Sequence, residues 1–224
     1  MKTKRITAYV AALCLLLLGT TAAKAQNFRM TVGGGLSTHY SGDKVVGSFK
    51  AQLGVEFELD QHWTIEPSLA FYGKGWKNKN QTVNYYDEDG KQIYNEDGTP
   101  HTGVKNRTTT ANYLEVPVVA HYYLPVAAGG YVVFTAGPYA AVGVSGKQKT
   151  KGDAEEEGSR KLFYEEKTFN EQGIHRFDAG LTLGMGYQLP SHFTIGVETD
   201  LGLAKFNTAG DRNVSALLTL TYQF

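Results

Sequence analysis

The sequence predicts an all-β chain, folded as an eight-stranded antiparallel up-and-down transmembrane β-barrel. Two observations carry most of that reading. Apolar residues alternate with small or polar ones through eight separate stretches, as side chains do across the two faces of a strand. The links between those stretches run medium, short, long, short, long, short, medium, which suits a barrel with tight turns at one end and long loops at the other. A third observation concerns export. Lys2, Lys4 and Arg5 precede an apolar run from Ala8 to Leu18, followed by Ala23-Lys24-Ala25. That run is about eleven residues, well short of the roughly 20 needed by a spanning helix, so residues 1–25 read as a signal peptide cleaved before Gln26. Residues 26–224 are then the barrel domain.

The first strand spans Phe28 to Ser37, with Phe28, Met30, Val32, Gly34 and Leu36 on one face. A polar link from Thr38 to Val46 leads to Phe49–Leu59, where Phe49, Ala51, Leu53, Val55, Phe57 and Leu59 alternate without error against Lys50, Gln52, Gly54, Glu56 and Glu58. Asp60-Gln61-His62 turns the chain into Trp63, Ile65, Pro67, Leu69 and Phe71. From Asn78 to Thr108 the alternation gives way to Asn, Asp, Gly and Thr, which reads as a long loop. Leu114, Val116, Val118, Ala120 and Tyr122 make the fourth apolar row, and Val132, Phe134, Ala136, Pro138, Ala140, Val142 and Val144 the fifth. A second polar insertion, Lys147 to Gly173, also reads as a loop. Phe177 to Leu189 and Phe193 to Leu203 follow, joined by Pro190-Ser191-His192. The closing strand, Asn213 to Phe224, places Val214, Ala216, Leu218, Leu220, Tyr222 and Phe224 on one parity.

A soluble lipocalin-type barrel alternates too. Its outer wall would carry more Lys and Glu than the Gly, Ala, Ser and Thr of the polar rows seen here. Aromatic residues also gather at the row ends: Trp63, Tyr122, Tyr187, Phe193, Tyr222 and Phe224 toward the turns, and Tyr40, Tyr72, Trp76 and Phe206 toward the loops. Two such belts are expected of a membrane wall.

Composition agrees with this reading. The chain of 224 residues holds 26 glycines, 14 tyrosines and 11 phenylalanines, and suits one β domain. Loss of the leader removes four basic residues (Lys2, Lys4, Arg5, Lys24), leaving 18 basic against 22 acidic, a net charge of −4. No positive excess points to nucleic acid. Cys14, the single cysteine, lies within the leader behind Leu13, where a lipoprotein signal needs a small residue, so neither a lipid anchor nor a disulfide is expected.

With the apolar rows toward lipid, a lumen charge cluster of Arg29, Lys50, Glu56, Glu66, Glu115, Arg176, Asp178, Glu198 and Asp200 points inward, together with Glu58, Lys74 and His121. Eight strands enclose room only for their own side chains, so these charges should pair and close the lumen. In the first insertion, Tyr86-Asp87-Glu88-Asp89-Gly90 is echoed by Tyr94-Asn95-Glu96-Asp97-Gly98. Asp87, Asp89, Gly90 and Glu96 match part of a calcium-loop pattern, but Tyr85 stands where its first ligand belongs, and Asp-Gly pairs signal turns. In the second, Lys147, Lys149 and Lys151 precede Asp153, Glu155, Glu156 and Glu157, and the lysines lie where lipopolysaccharide phosphates would meet an outer rim. Ser37, His39, His175 and Asp178 do not meet the geometric roles of a catalytic set on this topology. Leu218, Leu220, Tyr222 and Phe224 form the expected signal for the barrel-insertion machinery.

NYLEVPVVAHYYLP (112–125) followed by YVVFTAGPYAAVGVSGK (131–147) resembles the central hairpin of the PorT-type outer-membrane β-barrel family of Bacteroidota. FDAGLTLGMGYQL (177–189) and FTIGVETDLGL (193–203) are similar to its third hairpin. The resemblance implies an outer-membrane barrel; PorT itself is associated with protein secretion by the type IX route. The expectation is a monomeric, non-enzymatic structural or surface-interaction protein of the bacterial outer membrane, with both termini periplasmic and no cofactor or metal. Its partners are membrane lipid, lipopolysaccharide and the insertion machinery. The alternatives are an accessory of secretion or assembly that works through secretion-system proteins and, more distantly, a lipid-modifying barrel enzyme.

Overall fold

The computed structural model describes residues 26–41, 44–87, 89–126, 129–152, 164–170 and 172–224; the leader read at residues 1–25 lies outside them. Ten strands follow in order: β1 (Gln26–His39), β2 (Val46–Glu58), β3 (Trp63–Asn84), β4 (Thr102–Pro125), β5 (Tyr131–Ser145), β6 (Lys147–Gly152), β7 (Tyr164–Lys167), β8 (Phe177–Gln188), β9 (Phe193–Gly202) and β10 (Asn213–Gln223). Eight of them form a closed antiparallel ring, β1-β2-β3-β4-β5-β8-β9-β10, in which β10 pairs back onto β1 from Arg29↔Gln223 to His39↔Asn213. Closure leaves the wall without an unpaired edge, as a sheet in lipid requires. No helix among the described residues is long and apolar enough to cross a membrane; the spans are strands.

The burial pattern is inverted relative to a soluble protein. Leu218 is 70% exposed, Leu53 65% and Ile195 60%, while Lys50, Glu56, Lys74, Glu115, Asp178 and Asp200 are buried. Exposed apolar residues alternate with less exposed, mostly polar or glycine, residues along the strands, so the apolar rows form the outer wall and the polar rows the lumen. Leu217 stands on the inward parity of β10 and is buried. It faces the glycine run of β1, where a Cβ on Gly33 would lie 3.2 Å from its Cδ1. Leucine on one strand fills the space that glycine leaves on the next.

The ring's short links, at 59–62, 126–130 and 189–192, define a turn end; the opposite rim is the loop end. At the turn end, Trp63 packs on Tyr122 at 4.9 Å and Tyr222 on both Phe193 and Phe224 at 4.8 and 4.9 Å, an exposed aromatic girdle as expected. The loop-end belt is corrected. Tyr40 is exposed, but Tyr72, Trp76 and Phe206 are buried inside the lumen. Tyr72 and Trp76 share the inward parity of Ala70 and Lys74, so strand alternation already assigned them to the interior.

The two insertions are also corrected. Much of 78–108 is strand: β3 and β4 stay paired out to Asn84↔Thr102, with one bulge between Asn78 and Gln81 at which Asn80 takes φ +53°. Within 147–173, β6 pairs with β4 and β7 with β6, and a single 3-10 turn covers Thr168–Asn170. Beyond the ring, β3, β4, β6 and β7 therefore continue as a four-stranded sheet. At its tip the two Tyr-x-x-Asp-Gly segments form successive tight turns, with Gly90 at φ +78° and Gly98 at φ +79°, a backbone that glycine adopts without strain.

Candidate functional site

Two regions concentrate chemistry: the lumen and the sheet beyond the loop end. The lumen is arranged in three layers. Nearest the turns, Arg29 on β1 reaches Glu56 on β2 (3.0 Å) and Glu66 on β3 (3.2 Å). Glu56 also accepts the hydroxyls of Tyr123 (2.6 Å) and Thr64 (2.5 Å), and Glu66 accepts Gln52 (2.9 Å) and pairs with His121 Nε2 (3.0 Å). Above this lies a cavity of about 40 Å³, bordered by Arg29, Gln52, Glu66, His121 and Thr182, which has room for about three waters.

The middle layer is organised by two lysines. Lys50 on β2 meets Glu198 on β9 (2.8 Å) and Glu115 on β4 (3.4 Å). Lys74 on β3 meets Glu115 (3.0 Å), Asp200 on β9 (3.2 Å) and Asp178 on β8 (3.4 Å). The rings of Tyr72 and Tyr139 lie 4.5 and 4.4 Å from the same Lys74 ammonium. Thr182 donates to Asp200 and Asn213 to Asp178. Desolvating these ions costs energy that only several good partners per charge can return, and this layer supplies them.

The outer layer is apolar. Trp76 packs on Phe206 at 4.4 Å, the His39 ring sits edge-on to both, and Tyr113, Tyr139, Phe169 and Ile174 complete the cluster. Gly143 admits Phe169 here, since a Cβ at 143 would fall 2.0 Å from that ring. The lumen is thus closed by aromatics at one level and by ion pairs at two others. At the turn end it opens into a vestibule of about 370 Å³ beside Glu58, Asp60 and His62.

Of the nine inward charges expected as one cluster, eight fall into these two ionic layers: Arg29, Glu56 and Glu66 in the lower, and Lys50, Glu115, Asp178, Glu198 and Asp200 in the middle. Arg176 is not brought to them. It is exposed at the loop end, donates to the Gly143 carbonyl (2.9 Å) and lies over the Phe169 ring. Glu58 likewise ends exposed at the turn rim. Lys74, His121, Tyr72, Tyr123 and Tyr139 tie the layers together; inward parity marks each of them, but only the tertiary arrangement pairs Lys74 with three carboxylates from three strands.

The catalytic candidates resolve into something else. Ser37 exchanges hydrogen bonds with the Gly75 backbone. His39 faces Ser41 (3.2 Å) and Asp211 (3.6 Å) through one nitrogen, Nδ1, and Ser41 donates directly to Asp211. A triad needs its acid and its nucleophile on opposite imidazole nitrogens, so this set lacks that order. Burial pushes the Asp211 carboxyl up, but bonds from Ser41 and Asn207 outweigh it and hold Asp211 below the usual range. In the calcium-like segment, Asp87 caps its own turn by accepting the Lys91 amide (2.8 Å), and Asp97 accepts both the amide and the hydroxyl of Thr99. Among the described residues no three His, Cys, Asp or Glu side chains converge as metal ligands.

Among solved structures, the chain is similar to Ail, the attachment invasion locus protein of Yersinia pestis, at 14% identity over 89% of this chain and 97% of that one, with a TM-score of 0.43. It is also similar to Neisserial surface protein A, at 11% identity over 90% of this chain and all of the other, with a TM-score of 0.42. No curated protein matches it. The sequence profile of one family does match, over residues 16–207 and so over most of the chain. Taken with the closed eight-stranded ring and its inverted burial, that match shows that the chain belongs to the outer membrane protein beta-barrel domain family.

Proposed function

We propose that this outer-membrane barrel is non-enzymatic and acts through the sheet that it projects past the membrane, with the loop end outside and the turn end and both termini in the periplasm. The observation that carries this reading is a division within the chain. The ring is closed and its lumen filled with paired charge, while β3, β4, β6 and β7 run on beyond it as solvent-facing sheet. A closed ring meets the needs of a membrane anchor; a projecting sheet adds nothing to the spanning wall and instead presents side chains to a partner. Short turns at one rim and long excursions at the other favour the stated orientation. The leader at 1–25, insertion through Leu218, Leu220, Tyr222 and Phe224, and kinship with the PorT-type barrels of Bacteroidota belong to the same proposal and rest on the sequence features described above. The secretion-accessory and lipid-modifying alternatives gain no support from the arrangement of the described residues.

The test replaces 79–106 and 148–166 with short turns. A heat-modifiable band in the outer-membrane fraction will confirm that the ring still assembles. Binding of the trimmed cells to protein- and glycan-coated surfaces is then expected to fall to that of cells lacking the protein. Full retention of binding would sink the reading, and stable co-purification of envelope proteins from gently solubilised membranes would favour the accessory role instead.

A further inference from the structure

The register of the projecting sheet places lysines in rows across its outward face. In an antiparallel ladder, directly opposed residues share a face. Lys44 lies opposite Lys77, Lys77 opposite Thr108, Thr108 opposite Lys149, and Lys149 opposite Glu165, which makes one continuous row over four strands and the β1–β2 link. Next to it runs a second row, Gly75, Thr110, Lys147 and Lys167, in which Lys147 also exchanges hydrogen bonds with Thr110. Lys151 opposite Asn106 begins a third. The opposite face of the same strands carries Trp76, Thr109, Gln148 and Thr150, all buried over the lumen mouth, so the lysine face is the outer one.

This face continues the lipid-facing wall. Along β3 the outward positions are Leu69, Phe71, Gly73, Gly75 and Lys77. The Phe49 ring covers Gly73, and Val46 covers Gly75. The apolar cover therefore ends at Gly75 and positive charge begins two residues on, about 7 Å along the strand. Among the described residues of this face, six lysines (44, 77, 147, 149, 151 and 167) stand against a single acid, Glu165, which Lys147 and Lys149 share.

The arrangement departs from ordinary solvation. Lys44 faces Lys77 and Lys147 faces Lys167 directly across the ladder, and like charges in that position destabilise a sheet. A face built only for solubility intersperses the two signs. An anion seated between the rows removes the repulsion and gains charge-assisted hydrogen bonds from several ammonium groups at once. We infer that the outward lysine rows of β3, β6 and β7 form a docking surface for the phosphate groups of outer-leaflet glycolipid. The occupant follows from position: the rows sit at the upper border of the hydrocarbon wall, where lipid phosphates lie, and long lysine stems reach down toward that level while resting on the sheet. This deepens the surface role proposed above and rests on its outward placement of the loop end.

The experiment titrates the full chain, refolded in detergent, with a bisphosphorylated lipid A, with the same lipid enzymatically dephosphorylated, with inorganic phosphate and with poly-glutamate. The lipid A titration is then repeated on Lys77→Gln/Lys147→Gln/Lys149→Gln and on a control changed at Lys105 and Lys205, away from the face. Wild type and control are expected to bind the phosphorylated lipid alike, and the triple variant and the dephosphorylated lipid roughly tenfold or more weakly, as loss of charge-assisted bonds requires. Equal affinity of the triple variant, or of the dephosphorylated lipid, overturns the proposal. So does inorganic phosphate or poly-glutamate binding as tightly as the lipid, which would assign the face to free anions or to acidic protein. Orientation is read separately, by labelling Lys91, exposed at the sheet tip and off the lysine face, on intact cells with an impermeant amine reagent: absence of labelling refutes the outward placement without touching the binding result.

Discussion

Lys74 holds the centre of the lumen, because its single ammonium group answers three carboxylates, Glu115, Asp178 and Asp200, with no solvent to share the load. Lys74→Gln should cost about 3–5 kcal/mol, the usual penalty for leaving buried charge uncompensated. A lower urea midpoint of the folded, heat-modifiable form will report it, and an unchanged midpoint refutes the role. Adding Glu115→Gln and Asp178→Asn should recover part of the loss, since two of the three carboxylates left behind are then neutral. Asp60 is simpler. It accepts the amides of His62 (2.7 Å) and Trp63 (2.9 Å) in the first tight turn, and these bonds hold its carboxyl below the usual range. A carboxylate lowered by folding contributes above its unfolded value and loses that contribution as pH falls through the folded one. Asp60→Asn should therefore lower the midpoint at neutral pH and match wild type in acid; a difference that persists in acid contradicts this account. At this scale strand parity made most inward charges legible, because a membrane wall allows only two choices for each side chain. It could not place Arg176, which stands just outside β8, where the ladder no longer dictates direction.

Among the elements, β10 has the plainest dual pattern, and it closes the ring onto β1. Its aromatic end, Tyr222 with Phe193 and Phe224, forms an exposed cluster at the turn rim. Tyr222→Ser with Phe224→Ser is expected to reduce several-fold the amount assembled in the outer membrane, since interfacial aromatics anchor such strands; an unchanged amount in membrane fractions refutes an insertion role. On β5, Gly143→Leu should displace Phe169 from the lumen mouth, because the added carbons need the volume that the ring occupies. Faster proteolysis within 147–173 on an otherwise intact barrel is the expected result, and unaltered cleavage would show that Phe169 is not what secures this segment. The far ends of β3 and β4 were illegible for a physical reason. Inside the membrane one face meets lipid and the other the lumen, which enforces alternation. Beyond Lys77 both faces meet polar surroundings, so the ladder continues with no period to reveal it.

At the scale of the whole molecule, three closing layers between the mouth and the turn-end vestibule predict a barrel that does not conduct. In planar bilayers the purified chain should give no stable steps of current; defined channel openings would contradict the layered lumen. Truncating Trp76 and Phe206 to Ala should leave the bilayer silent as well, because the Lys50–Lys74 layer closes the lumen below them. The eight ring strands, the lipid-facing side of each and the places of the tight turns were all legible in the amino-acid order, since they follow from side-chain alternation against a sharply two-sided environment. Tertiary structure alone decided which charges meet, because partners such as Lys74 and Asp200 lie on strands that are not neighbours in the ring and touch only across its interior. It also decided that Phe206, outside any strand, turns inward onto Trp76 to stop the mouth and that the polar insertions stack into one lysine-faced sheet. Cross-strand register sets these outcomes, and register is a property of paired segments far apart in the chain.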